Sequence, residues 1–298
     1  MIEEKHVKST TLITPVKINL ALHVTGLNAN NYHLLDSLVV FSPSGDKLKI
    51  SLADEFSFNI SGPFASKLST ADNIILKVVQ KLSTFLPTNS VYNHNKLSIE
   101  LEKNIPVAAG LGGGSADAAA IFLAINYIWD LKLPEQTILT LARTLGADIP
   151  CCIYYMLHKK SSYISGIGEI ISPIEIMPKF YILLINNRSS NPTEKVFAAL
   201  KQKCNSSINR KYNFANLTEL ISFLKKTRND LYDSAISITP GIEEVIKTIK
   251  GNNSLFTTMS GSGATCIGIY ADYSAAKLAE TKIRALHPNW YIDIKEIL

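Results

Sequence analysis

The residues with the clearest capacity for chemistry run from Pro106 through Val107, Ala108, Ala109, Gly110, Leu111, Gly112, Gly113, Gly114, Ser115 and Ala116. An alternating apolar segment, Leu97-Ser-Ile99-Glu-Leu101, precedes them, and a run rich in alanine and isoleucine follows. Glycines allow successive backbone N–H groups to turn toward one point without side-chain clashes. A helix beginning there adds its unpaired N–H groups and the positive end of its dipole. Strand, glycine loop and helix together make a pocket for an anion, phosphate above all. Ser115 can cap that helix or offer its hydroxyl to phosphate or Mg²⁺. The segment is not a Walker loop, because no Lys-Ser/Thr closes it, and Ser115 stands where G-x-G-x-x-G requires its last glycine. The plainer alternative is a glycine-rich connection that permits close helix packing.

Several other side chains are candidates by type and place. Val16, Ile18, Leu20, Leu22 and Val24 alternate with Lys17, Asn19, Ala21 and His23. This predicts a strand whose second face carries a lysine and an asparagine, with a solvated face as the alternative. Asp148 lies in Gly146-Ala147-Asp148, a turn after a predicted helix, where a short carboxylate can project into a cleft or simply form the turn. Tyr32-His33 follows a turn-rich loop, and Phe197 lies in Val196-Phe197-Ala-Ala-Leu200, a spacing that also suits the buried face of a helix.

The elements that must position these residues can be read from periodicity. Short strands are expected at 37–41, 47–52 and 56–60. A helix is expected over 73–85, with Asp72 placed to cap it. Strand 97–101 and the loop lead to an apolar helix at about 115–129 and a second at 134–145, which opens on a proline. A hairpin is expected over 161–172, with Gly166 and Gly168 in its turn, then a buried strand at 180–185. Polar loops fill 186–193 and 202–213. Helices are expected at 217–226, 230–236, 241–250 and 273–286, two apolar strands flank Ser260-Gly261-Ser262-Gly263, and a strand covers 290–294. A mixed half rich in short strands thus gives way near residue 158 to an α/β half. The expected domains are 1–158 and 159–298.

Composition narrows the possible functions. The 298 residues are 46% hydrophobic and 18% charged, enough for a sizeable core, and the net charge of +5 suits an anionic small ligand. No dense Lys/Arg run interleaved with aromatics argues for nucleic acid. No segment reaches the ~18 uninterrupted apolar residues of a membrane span, and the N-terminal residues 1–6 carry charges of both signs with no apolar stretch behind them. Cys151, Cys152, Cys204 and Cys266 have no zinc spacing and read as free thiols of a reducing compartment. These features predict a cytoplasmic protein with neither a membrane nor a nucleic-acid partner.

Taken in order, the motifs resemble those of the GHMP kinases over nearly the whole chain. Pro15-Val-Lys17-Ile-Asn19-Leu20 is similar to the first motif of that family, Pro106 to Ala120 to the second, and Met259-Ser-Gly261-Ser-Gly263-Ala-Thr265 to the third. Within the family, the likeness is to members whose acceptor carries a cytidine diphosphate. It rests on Thr25-Gly26 with Tyr32-His33, the triple glycine, Leu145-Gly146-Ala147-Asp148-Ile149-Pro150 and Gly166-Ile-Gly168-Glu169. The resemblance implies an α+β, two-domain fold: a ribosomal-protein-S5-like N-terminal domain, a ferredoxin-like C-terminal domain, and a cleft between them holding the site. It implies ATP along the glycine-rich loop, Mg²⁺, Asp148 as the base at the acceptor hydroxyl and Lys17 as the cation that orients it. It puts Asn73 and Lys103 near the adenine, although a surface ion pair of Lys103 with Glu102 and a helix-start role for Asn73 are the plainer readings. It puts Asn19, Tyr32, His33 and Phe197 at the acceptor, with Tyr32 and Phe197 stacking on cytosine and His33 reading its edge. Three departures alter the acceptor loop: Asn28 and Asn30 replace the family's arginine and aspartate, and Asn31 replaces its glycine. A mevalonate, phosphomevalonate or homoserine kinase, and a non-catalytic nucleotide or RNA binder, are the competing readings.

Overall fold

A computed structural model describes residues 9–87, 90, 92–93 and 96–297. The expectation for residues 1–6 lies outside them. In chain order the strands are β1 (Ser9–Ile13), β2 (Val16–Leu27), β3 (His33–Ser42), β4 (Lys47–Leu52), β5 (Ser57–Ser61), β6 (Leu97–Glu102), β7 (Ser162–Gly166), β8 (Ile170–Pro173), β9 (Phe180–Asn186), β10 (Phe256–Met259), β11 (Cys266–Tyr270) and β12 (Tyr291–Ile297). The helices are α1 (Ile74–Ser83), α2 (Gly113–Ile128), α3 (Glu135–Arg143), α4 (Ile149–His158), α5 (Thr193–Ala198), α6 (Leu217–Leu224), α7 (Tyr232–Ile238), α8 (Gly241–Lys250) and α9 (Tyr273–Leu286).

The chain forms two compact units, and the division is not a single cut. One unit comprises residues 1–16, 43–107 and 113–158; the other comprises 17–42, 108–112 and 159–298. The second unit therefore takes in strands β2 and β3 and the middle of the glycine-rich loop as well as everything after His158.

In the first unit the sheet runs β1-β4-β6-β5, antiparallel except for the β5–β6 pair. Its strands place Leu48, Ile50, Leu97, Ile99 and Leu101 in the interior. Helix α1 buries Ile75, Val78, Val79 and Leu82, the i, i+3, i+4, i+7 stripe its sequence predicts. Asn73, not Asp72, caps it: the Asn73 side chain accepts from the Ile75 N–H at 3.0 Å, while Asp72 pairs with Lys77 at the surface. Helix α2 is apolar on nearly every side and packs against α1, α4, β1 and β4. Its alanines at 116, 118, 119, 120 and 124 let these neighbours approach closely.

In the second unit one sheet runs β2-β3-β7-β8 and another β10-β11-β9-β12, the latter fully antiparallel. Helix α8 covers the second sheet with Ile242, Val245, Ile246 and Ile249, and α9 adds Ala276, Ala279 and Ile283. Between β7 and β8, the Glu169 carboxylate accepts the Ile167 N–H at 2.6 Å beside Gly166 at φ +71°. The turn motif noted in the sequence is thus a self-bonded hairpin.

Three elements escape periodicity. Strand β1 is a five-residue strand, α5 has six residues, and α4 follows directly on the turn at Asp148, where no element was expected. Pro150 is the second residue of α4, a position where its missing N–H costs nothing.

Candidate active site

The middle of the glycine-rich loop, residues 108–112, is fastened to the second unit through its carbonyl oxygens. The Asn191 N–H donates to Ala108 O (3.3 Å) and the Thr265 N–H to Ala109 O (3.1 Å). The Ser260 hydroxyl donates to Gly110 O (2.8 Å) and the Lys17 N–H to Leu111 O (3.1 Å). Four successive carbonyls are therefore turned onto protein donors, and such a loop presents an incoming anion with N–H groups. Its dihedrals require small residues: φ is +52° at Ala108, +76° at Gly110 and +63° at Gly112. A β-carbon on Gly110 would collide with the Ser260 carbonyl oxygen. The non-glycine Ala108 in left-handed conformation is the sort of strain that gathers at functional sites.

The third sequence motif supplies two of the four fasteners, Ser260 and Thr265, and is itself held by two asparagines that sequence reasoning passed over. Asn191 is buried and donates to Ser262 O at 3.0 Å while accepting from the Thr239 hydroxyl at 2.6 Å. Asn229 donates to both Met259 O (2.8 Å) and Gly261 O (2.9 Å). Each lies in polar or turn-rich sequence, where an asparagine gives no signal until its partners are known.

Lys17 and Asn19 lie on β2, and the solvated strand face left open by the sequence does not exist: Lys17 is 6% exposed and Asn19 4%. Residues 108–112 and Ser260 cover that face. The Asn19 N–H donates to Ser260 Oγ at 3.1 Å and its side-chain amide to Ser37 Oγ at 2.7 Å. Asn19 Oδ1 is buried with no hydrogen-bond partner. A buried acceptor in that state costs about 1–3 kcal/mol, which a ligand donor would recover.

The remaining loop residues belong to the first unit. Helix α2 starts at Gly113, two residues earlier than periodicity suggested, so Ser115 lies inside the first turn and does not cap the helix. The two glycines give that turn bare N–H groups, at the cost of poor helix propensity. Lys103 does not form the surface pair with Glu102. It is 2% exposed, and its ammonium binds both Asp46 and Asp117, the latter at 2.6 Å. Burial pulls the lysine pKa down, but the two carboxylates outweigh it and raise it, so the ammonium stays charged. Burial pushes the Asp117 carboxyl up to about 7, against the pull of Lys103. Asn73 spends its side chain on the α1 cap, the plainer of its two readings. Asp148 is half-buried immediately before α4, where the Cys151 thiol donates to its carbonyl oxygen at 3.1 Å.

Of the acceptor-side candidates, His33 and Phe197 meet: their rings are 4.9 Å apart and tilted by 33°. Phe197 also packs on the core of the second unit, so both readings of its spacing hold in part. His33 Nε2 is buried without a partner. Burial first, then the charge of Lys203, lowers the His33 pKa, which keeps the imidazole neutral at pH 7, with one nitrogen donating and one accepting. Tyr32 is 62% exposed beside them in sequence. The Asn28 side chain accepts the N–H groups of Asn30 and Tyr32, each at 2.9 Å, and Asn31 takes φ +61°. The asparagines thus hold the loop by local turns where the family pattern has charge and glycine. His23, on the same strand face as Lys17 and Asn19, is structural: Nδ1–H donates to Ser206 O at 2.9 Å and Nε2 accepts the Arg228 N–H at 3.3 Å.

The carbonyl oxygens of residues 108–111 are taken by protein donors just before the chain enters α2, and the chain matches known proteins along most of its length. The profile of the GHMP kinases N terminal domain matches residues 73–155, and that of the GHMP kinases C terminal domain matches residues 209–289. The chain belongs to the GHMP kinase family and is a kinase. It is 39% identical over 284 residues to a 4-diphosphocytidyl-2-C-methyl-D-erythritol kinase of Brucella melitensis, covering 95% of this chain and 93% of that one. It is likewise 39% identical over 283 residues to the protein of that name from Ruegeria pomeroyi, covering 93% and 95%. A crystal structure of 4-(cytidine 5'-diphospho)-2C-methyl-D-erythritol kinase superposes with a TM-score of 0.75 at 24% identity, over 97% of this chain and 99% of that one. Mevalonate kinase from L. major has the same fold at a TM-score of 0.66 and 14% identity, over 98% of each chain. The α+β, two-domain GHMP fold implied by the motifs is the fold of this protein.

Proposed function

We propose that this kinase transfers the γ-phosphoryl group of ATP to the 2-hydroxyl of 4-diphosphocytidyl-2-C-methyl-D-erythritol, a step of non-mevalonate isoprenoid precursor biosynthesis. The single observation that carries the acceptor is the neutral His33, with a buried, unpartnered Nε2 beside the ring of Phe197. A cytosine edge offers a donor and acceptors to such an imidazole, and its face can stack on the phenyl ring. The relatives with this acceptor in their names support the same reading. Tyr32 is free to close on the other face of the base, and Asn19 Oδ1 suits a hydroxyl donor of the acceptor.

Phosphoryl transfer asks the protein for alignment and charge neutralisation. Residues Pro106 to Ala116 hold the phosphates through backbone N–H groups, and the Ser115 hydroxyl in the first turn of α2 adds a donor. Asn73 and Lys103 act on the adenine side through backbone and shape, because their side chains are committed to protein partners. Lys17 supplies positive charge for the transferred group, and Asp148 takes the proton of the acceptor hydroxyl. Among the described residues no group of three or more His, Cys, Asp or Glu side chains is placed to hold a metal ion. Mg²⁺ would enter on the nucleotide, held chiefly by phosphate oxygens, as this hard cation is in many kinases. There it would neutralise charge on the phosphates of ATP. Four cysteines outside any disulfide suit a reducing cytoplasm, and no described helix is long and apolar enough to cross a membrane.

Ligand-induced thermal protection tests the acceptor. The cytidine-containing compound should raise the melting temperature, while mevalonate, phosphomevalonate and homoserine should not. Protection by one of the latter alone would transfer the protein to another acceptor class. Salt-sensitive RNA binding without ATP turnover would favour a binding protein instead.

A further inference from the structure

A buried ion cluster ties together the two ends of the glycine-rich loop. Asp46, in the connection before β4, is fully buried. Its Oδ1 accepts the N–H groups of Asn104 (2.6 Å) and Ile105 (2.9 Å), the residues that lead into the loop at Pro106. Its Oδ2 binds the ammonium of Lys103. That ammonium also binds Asp117 Oδ2, and Asp117 stands in the second turn of α2, where the chain leaves the loop. A β-carbon built on Gly113, the first residue of α2, would lie 3.0 Å from Lys103 Nζ and 3.5 Å from Asp46 Oδ2. The helix start therefore rests directly on the cluster.

Such an arrangement is expensive for stability alone. Two carboxyl groups and an ammonium are taken out of water, the Asp117 Oδ1 atom has no partner, and a buried pair is often no better than apolar residues of equal volume. Its useful property is geometric. One ammonium, held from two directions, fixes the separation between the incoming strand end and the outgoing helix turn. That separation sets where the N–H groups of Gly113, Gly114 and Ser115 point, and small errors in such placement are costly in transfer chemistry.

We propose that Asp46, Lys103 and Asp117 form a staple that holds open the phosphate loop, making the side chains of Lys103 and Asp117 positioning groups for ATP that act without touching it. The proposal rests on the nucleotide-binding reading of that loop. Asp117→Ala removes one arm of the staple, and Asp117→Asn keeps its shape and one acceptor oxygen.

The experiment measures calorimetric Kd for a non-hydrolysable ATP analogue with Mg²⁺, steady-state KM for ATP and for the acceptor, and amide hydrogen exchange over residues 104–117. For folded Asp117→Ala we expect about a tenfold or greater weakening for nucleotide, acceptor KM within about twofold of wild type, and faster exchange at 113–117. Asp117→Asn should recover most of the nucleotide affinity. If Asp117→Ala does not fold, the Asn variant decides: we expect a weakening of about threefold confined to nucleotide, and an unchanged Kd would overturn the staple. Wild-type binding with an unaltered Kd in folded Asp117→Ala would overturn it too, as would equal losses for nucleotide and acceptor that track melting temperature. Failure of wild type to bind the analogue would instead sink the nucleotide reading on which the staple depends.

Discussion

Gly112 lies against the stem of Lys17: a β-carbon on Gly112 would stand 3.0 Å from Lys17 Cβ and 3.2 Å from its Cε. With the Lys17 N–H bound to Leu111 O, loop and lysine are set by one another. Gly112→Ala adds both this contact and a left-handed penalty at φ +63°, about 1–2 kcal/mol. We predict a modest loss of melting temperature together with a fall in kcat of about tenfold or more, measured at saturating ATP. Unchanged kcat in the destabilised variant would show that the Lys17 ammonium does not depend on the loop.

Phe197→Ala should act on the acceptor side alone. Loss of a stacking surface for cytosine is worth about 1–3 kcal/mol, and acceptor KM should rise accordingly while KM for ATP holds. Because Phe197 also packs on the core of its unit, some loss of stability accompanies the change. If ATP and acceptor constants shifted together, the ring would be acting only as core.

The extent to which this account could be read from sequence differs from site to site. The glycine cluster announced an anion site because glycine and a helix start carry a backbone message, and the stripes of α1 and α8 were plain from apolar spacing. Lys17 and Asn19 showed their strand but not their burial, since a period-2 pattern cannot report what covers the polar face. Asp46 lies in a Gly-Asp turn and Asp117 in Ser-Ala-Asp-Ala-Ala. The sole acid in a long apolar helix was a usable signal, but its partners lie 14 and 71 positions away. The α1 cap was misassigned by one residue because Asp and Asn cap equally well, and Asp72 and Asn73 are adjacent. Helix α4 is hard to read from periodicity because Ile149 to Ile153 are all buried, which leaves no polar face to mark a helical stripe.

The raised pKa of Asp117 predicts a signature in stability against pH. The carboxyl titrates near 3.8 when unfolded and near 7 when folded, facing Lys103 and Asp46. Between those values the folded protein holds a proton that the unfolded chain releases, so this contribution is whole at low pH and is lost as pH rises toward 7. Urea midpoints of wild type and Asp117→Asn, converted to free energies, should differ by an amount that drifts against wild type by about 1–4 kcal/mol between pH 4 and 7 and is level above. Parallel profiles would show that Asp117 is ionised throughout.

The most direct measurement of the central claim is ATP-dependent phosphorylation of 4-diphosphocytidyl-2-C-methyl-D-erythritol by wild type and by a folded Asp148→Asn variant. Turnover by wild type, with a loss of about 10²-fold or more in the variant, is the predicted result. Turnover little changed in the variant would leave the kinase without Asp148 as its base. Absence of turnover in a folded wild type that binds ATP would contradict the acceptor itself.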